Sequence, residues 1–211
     1  MPFEAIDTRK HDFKNRDGSK VKVDMMNKSF DKEIAYRADE TFKAIALPYK
    51  RGAVMYLILP VDENSLNVAE LWNAQSLSYR ADFLAALRNK SDFSEEVIVR
   101  LPKFELDIEN NLVDSLKAMG MTKSFSDAAE FFNIVNGASL KIDNAKHRAK
   151  VKVDEKGTEA AAITEISMRL TAMPPQYQPP QVYFIADRPF LFVIRDVESD
   201  VTLFAGVANH L

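Results

Sequence analysis

No cysteine occurs among the 211 residues, so the chain can form no disulfide and offers no thiolate as nucleophile or metal ligand. That absence does not by itself place the protein inside or outside a cell. Histidine is scarce as well. His11, His147 and His210 lie far apart with no metal-type spacing, so no metal site is expected. No apolar run approaches the roughly 20 residues that cross a bilayer, and the opening MPFEAIDTRKHDF lacks the apolar core of an export signal. An excess of one charge is missing too: 28 basic and 31 acidic residues are intermixed for a net −3. Neither a basic stripe for nucleic acid nor a basic amphipathic helix for a membrane surface is present. The strand-turn-helix serine elbow, the phosphate-cradling P-loop and the dinucleotide glycine fingerprint are all absent. The adjacent acids Glu95 and Glu96 read as solvated residues rather than a general acid/base pair. Nothing here predicts an enzyme or a cofactor.

What the sequence does hold is a chain able to bury a substantial core, with 46% hydrophobic residues, and most of its patterns are strands. VKVDMM (21–26), FKAIALPY (42–49) and AVMYLILP (53–60) read as an antiparallel meander, with KRG as the tight turn between the last two. SLNVAELWN reads as a helix capped by Ser65 or Asn67. SLSYRADFLAALRNK reads as a second, with Leu77, Phe83, Leu84 and Leu87 on one face. EEVIVRLPKFELDI returns to strand. ENNLVDSLKAMG reads as a helix opened by acidic and amide residues and stopped at Gly120. In LKIDNAKHRAKVKVDEKG, alternation puts His147, Ala149, Val151 and Val153 on one face and Arg148, Lys150 and Lys152 on the other, the pattern of a half-buried strand. The tail from Val182 onward holds two nearly unbroken apolar strands joined by RDVESD, the pattern of a hairpin within a core.

One stretch resists a single reading. TEAAAITEISMRL has helical spacing at Ile163, Ile166 and Leu170 with Thr158 as a cap. It also alternates as a strand, with Thr158, Ala160, Ala162, Thr164, Ile166 and Met168 on one side. Both readings stay open on the residues alone. The small side chains at the start of that face would suit a strand entering between two others. PPQYQPP beyond it reads as a stiff, extended spacer.

The run VDEKGTEAAA, a variable loop, FIADRPFLFVIRD and TLFAGVANHL, in that order, resembles the hinge, reactive-centre loop and terminal core hairpin of the serpins, a family of suicide protease inhibitors. The likeness continues upstream through HRAKVKVDEKG, LKAMGMTKSFSDAAEF, LPKFEL, FKAIALPY and VKVDMM to Pro2, Phe3, Thr8 and Phe13, and so covers essentially the whole chain. It implies an α+β fold of mainly antiparallel sheets with a few helices, as a single partial serpin domain over 1–211. Within it the hinge would span 155–162, the reactive-centre loop about 158–180 and the core hairpin 182–208.

The family resemblance also implies a mechanism. A protease attacks one bond of the loop, and before the acyl-enzyme hydrolyses the hinge end of the loop inserts as a new central strand of the main sheet, distorting the protease. Glu155 resembles the acidic anchor where loop meets sheet, and Lys103 its basic partner on the neighbouring strand. Gly157, Thr158, Glu159, Ala160, Ala161 and Ala162 match the inhibitory hinge. His147 matches a histidine that holds the sheet's opening region by hydrogen bonds; without the resemblance it reads as a satisfied core residue. Counting from Glu155 puts the reactive bond at Thr171–Ala172, suited to elastase-like or subtilisin-like serine proteases. Arg169–Leu170 is the alternative and would suit trypsin-like ones. Cysteine proteases are a further possible target class, and no cofactor is implied. The resemblance implies an extracellular or cell-envelope protein.

A complete serpin is nearly twice this long, so the N-terminal half of the usual fold is expected to be absent. That leaves a truncated gene, one piece of a split protein, or a minimal variant that no longer traps. A noninhibitory module that self-associates or takes a partner on an exposed sheet edge is the other reading of the same residues.

Overall fold

The computed structural model describes residues 2–49, 52–88, 96–134, 139–156 and 181–211. In chain order these form β1 (Arg9–Lys14), β2 (Lys20–Asp31), β3 (Ala35–Ala38), β4 (Phe42–Pro48), β5 (Ala53–Pro60), α1 (Val68–Asn73), α2 (Leu77–Ala86), β6 (Glu96–Pro102), β7 (Phe104–Asn111), α3 (Val113–Ala118), β8 (Lys146–Val153), β9 (Gln181–Ile185), β10 (Phe190–Asp196) and β11 (Thr202–Ala208). Contacts divide the chain into two compact units, one of Met1–Phe104 with Lys152–Leu211, the other Glu105–Val151. As expected, the fold is α+β with mainly antiparallel pairing.

The first unit holds two sheets. In one, β11-β10-β5-β4-β3, every neighbouring pair is antiparallel. Its central strands are the continuous apolar runs, and β5 is buried from Met55 to Pro60. α1 and α2 cover a cluster in which Phe42, Ile58, Val68, Phe83 and Leu87 are buried and Trp72, Tyr79 and Leu84 pack alongside. The ring edge of Phe42 meets Trp72 at 5.2 Å and Phe83 at 6.2 Å. At Gly206 on β11 a side chain has no room: a Cβ there would lie 2.5 Å from Cζ of Phe192.

The other sheet runs β1-β2-β6-β9. Its first two junctions are antiparallel and the third, β6 with β9, is parallel. Phe13 of β1 reaches Phe190 of the five-stranded sheet, ring to ring at 6.5 Å, and Phe104 stands between Phe190 and Phe192. These rings fill the space between the sheets. Arg188, 3% exposed, donates to the carbonyl oxygen of Pro60 at 2.7 Å and to the Asp187 carboxylate at 2.8 Å.

In the second unit β7 pairs with β8. Lys150–Glu105, Arg148–Asp107 and Lys146–Glu109 form ion pairs at 2.7 Å, one strand descending by two as the other ascends by two, the register of an antiparallel pair. The charged side chains occupy one face, as the alternation predicts.

Several expectations are corrected. β2 is not part of the meander: hairpin pairing with β1 and a long ladder to β6 hold it in the other sheet, and the meander is β3-β4-β5. The tail is not one hairpin. Residues 182–185 belong to β9, so the hairpin is β10–β11, and its outer strand is mostly exposed because β11 is the edge of the sheet. Leu77 is 77% exposed; it heads α2, and Tyr79 takes the contact with Phe83 and Trp72 instead. The helix expected from Glu109 begins only at Val113, because Glu109 continues β7 opposite Lys146. Gly120 does sit just past α3, with φ of 99°, a backbone conformation that costs other residues.

Candidate functional site

The richest polar junction among the described residues is centred on Glu155, two residues beyond β8. Its carboxylate accepts from Lys103 Nζ at 2.8 Å and from the Thr8 hydroxyl at 2.9 Å. Its main-chain carbonyl accepts from the Phe3 amide at 2.9 Å. One residue thereby ties three segments that are remote in sequence. Each partner is held independently. Lys103 lies at the short break between β6 and β7, and its own amide donates to the Asp24 carbonyl of β2 at 2.8 Å. Thr8 immediately precedes β1. Phe3 is buried edge-on against Phe30 at 6.1 Å, and Lys28 donates to the Pro2 carbonyl at 3.0 Å.

The Glu155 side chain is 15% exposed and that of Lys103 37%. Burial acts to raise the Glu155 pKa, yet the Lys103 hydrogen bond, a main-chain amide, the Thr8 hydroxyl and the lysine charge together hold it below the ordinary glutamate value. The hydrogen bond to Glu155 raises the Lys103 pKa, against the smaller opposing effect of burial. Both groups are therefore charged over the whole neutral range. The junction offers no nucleophile and no proton donor poised to titrate; what it can do is clamp the chain where residue 156 leads away.

Lys103 and Glu155 are thus brought together. His147 is not part of that junction: it lies on β8 in the second unit, exposed, and its imidazole makes no hydrogen bond to a described residue. The core position expected of it is taken by Val151 and Val153 further along the same strand face. Gly157, Thr158, Glu159, Ala160, Ala161 and Ala162 of the expected hinge lie outside the described residues, as do the reactive-bond candidates Thr171–Ala172 and Arg169–Leu170. Thr8 and Phe3 are the contributors to which sequence reasoning gave no role. Both stood in the opening pattern of matched residues, the one signal that could have raised them.

Among the described residues no helix is long and apolar enough to cross a membrane. The family model for serpins, serine protease inhibitors, matches residues 1–210. Serpin-Z1B of Triticum aestivum is 36% identical over 99% of this chain and 52% of its own length, and Iris of Ixodes ricinus is 36% identical over 99% and 53%. Among solved structures, the native state of the thermophilic serpin tengpin superposes with a TM-score of 0.77 at 25% identity, covering the whole chain and 52% of tengpin. Human glycosylated kallistatin gives 0.77 at 27% identity. The chain spans about half the length of the curated relatives it matches. With the family model matching residues 1–210, the chain belongs to the serpin family.

Proposed function

We propose that this chain carries the bait-loop portion of a serpin-type inhibitor of serine or cysteine proteases, which acts as a suicide substrate. The protease's serine hydroxyl or cysteine thiol adds to the Thr171 carbonyl carbon, the bond to the Ala172 nitrogen breaks, and that nitrogen leaves with the proton given up by the nucleophile, so the upstream part of the loop stays on the protease as an ester or thioester. Residues 157–162 then enter beside β8 as a strand. Elastase-like and subtilisin-like enzymes are the first targets by this bond; cleavage at Arg169–Leu170 would bring trypsin-like ones. The observation that carries the reading is the clamp at Glu155 combined with β8: β8 pairs with β7 on one edge, and among the described residues no strand occupies the other. A strand that inserts needs a neighbour on each side, and β8 supplies one, so trapping requires either the remainder of a serpin fold or a partner chain. We propose a location outside the cell or in its envelope for such a protein.

The test is incubation of the purified chain, alone and with the complementary portion of a serpin supplied in trans, with elastase-like and trypsin-like proteases, followed by denaturing gels. A protease complex that survives denaturation is expected only with the complement present, whereas simple cleavage near Thr171 is expected in both cases. In the reconstituted form, Thr158→Arg or Ala160→Asp should convert inhibitor to substrate, because an unpaired charge entering a sheet costs several kcal/mol, on the order of 10²-fold or more in insertion rate. Equal trapping by variant and parent would overturn the assignment of the hinge.

A second reading, a noninhibitory module that self-associates or recruits a partner, is favoured by one observation: Met119, Phe132 and Ile134 of the second unit are 76%, 68% and 70% exposed. Concentration-dependent light scattering without any covalent protease complex would support it over the first.

A further inference from the structure

Lys43 is placed unlike the ion-paired lysines of the surface. On β4, Phe42, Ala44 and Ala46 turn to the helices, so alternation points Lys43 and the fully buried Ile45 the other way, towards the four-stranded sheet of the first unit. It is half-buried there, and its Nζ donates to the Tyr183 carbonyl of β9 at a long 3.4 Å. That contact lies at the surface, so the nitrogen is within reach of a small molecule. No ion pair joins it to a described residue. Its charged neighbours come from two other segments. Arg188, buried in the connection between β9 and β10, donates to the Pro60 carbonyl, and Pro60 is the register partner of Phe42, so a guanidinium stands beside Lys43. Asp187 is occupied at 2.8 Å by that same arginine, and Glu63 lies in the turn after β5. Loss of hydration and the Arg188 charge lower the Lys43 pKa, and the two carboxylates oppose this only in part.

We infer that Lys43 is a modification site, a nucleophilic amine that condenses with small uncharged aldehydes. A lysine set in poorly hydrated surroundings next to a second cation is the arrangement that activates an amine near neutral pH. The neutral nitrogen adds to the aldehyde carbonyl carbon, the carbonyl oxygen leaves as water with the two amine protons, and a C=N double bond remains. The imine is uncharged, as the amine is, and brings no new charge into a space that solvates charge poorly. A carbamate formed with carbon dioxide would instead set an anion near Asp187 and Glu63, which weighs against that alternative. The site does not depend on the reactive loop and needs no protease.

The test is reductive alkylation of the purified chain at pH 7 with limiting propionaldehyde and cyanoborohydride, which supplies the hydride that fixes an imine as a propyl amine. Mass spectrometry of proteolytic peptides then reads the rate at each lysine. Lys10 and Lys22, paired with Asp24 at 2.9 Å and Asp12 at 2.8 Å, are the internal comparators. Lys43 should gain the propyl group at least about threefold faster than either, and the advantage should shrink as pH rises to about 11, where lysines in general are largely neutral. Glu63→Gln removes one of the charges that hold the proton, so it should speed Lys43 and leave Lys10 and Lys22 unchanged. Lys43→Arg should remove the fast-labelled peptide. A parallel sample in isotope-labelled bicarbonate should show no carbamate carbon by NMR. The pH profile of the parent chain decides the matter even where a variant fails to fold. Labelling of Lys43 no faster than that of Lys10 and Lys22 in the parent, or a carbamate in place of the imine, would overturn the proposal.

Discussion

The five-stranded sheet and the β7–β8 ribbon are both antiparallel, yet they are held by different forces. The sheet buries whole apolar strands and a ring cluster, while the ribbon displays three ion pairs on a solvent-facing surface. Apolar burial is close to indifferent to salt and pH, whereas exposed ion pairs are weak, screened and costly to order. The ribbon is therefore the portion whose pairing can be rearranged cheaply, and the sheet is the portion that cannot move without unfolding.

This contrast can be broken or sharpened by substitution. The largest effect is expected from Phe42→Ala, which empties the centre of the ring cluster and should cost about 3–5 kcal/mol in urea unfolding. Next comes Gly206→Val. Its side chain would press on the Phe192 ring, and since overpacking costs about 1–3 kcal/mol it should lower the thermal midpoint without abolishing folding. Glu155→Gln should cost about 1 kcal/mol at neutral pH, through the lost charge on hydrogen bonds from Lys103 and Thr8. This last effect has a pH signature. The folded-state pKa of Glu155 lies below its unfolded value, so its stabilisation is fully present above the unfolded value of about 4.3 and disappears as pH falls through the folded one. Parent and Glu155→Gln stabilities should converge in acid. The smallest effect is expected from Arg148→Gln with Asp107→Asn: the ribbon should keep its amide protection, and the difference from the parent should vanish in molar salt. A large loss there, with strong salt dependence, would show that the ion pairs and not the backbone ladder hold β7 to β8.

The same contrast explains what could be read in the sequence. β4, β5 and β10 were legible because continuous apolar runs have few alternatives to a buried strand. β1 was not, since Arg9, Lys10, His11, Asp12 and Lys14 leave Phe13 as its single apolar residue and the strand is fixed by its partners. Nor was the parallel pairing of β9 with β6, which joins residues that are about 85 apart. At the Glu155 junction, Lys103 and Glu155 came from the likeness of LPK and VDEKG to family motifs. The hydrogen bond from Thr8 crosses 147 positions and leaves no local trace in composition or spacing.

The parallel joint between β6 and β9 has a practical consequence. Residues 181–185 are fastened to one sheet through β6, and residues 190–208 to the other through β5, so β9, β10 and β11 are knit into both sheets of the first unit. A protease that nicks the chain at Thr171–Ala172 would sever the covalent backbone but not the assembly. The nicked protein should elute from a sizing column as the intact one does, and only a denaturant would part the fragments.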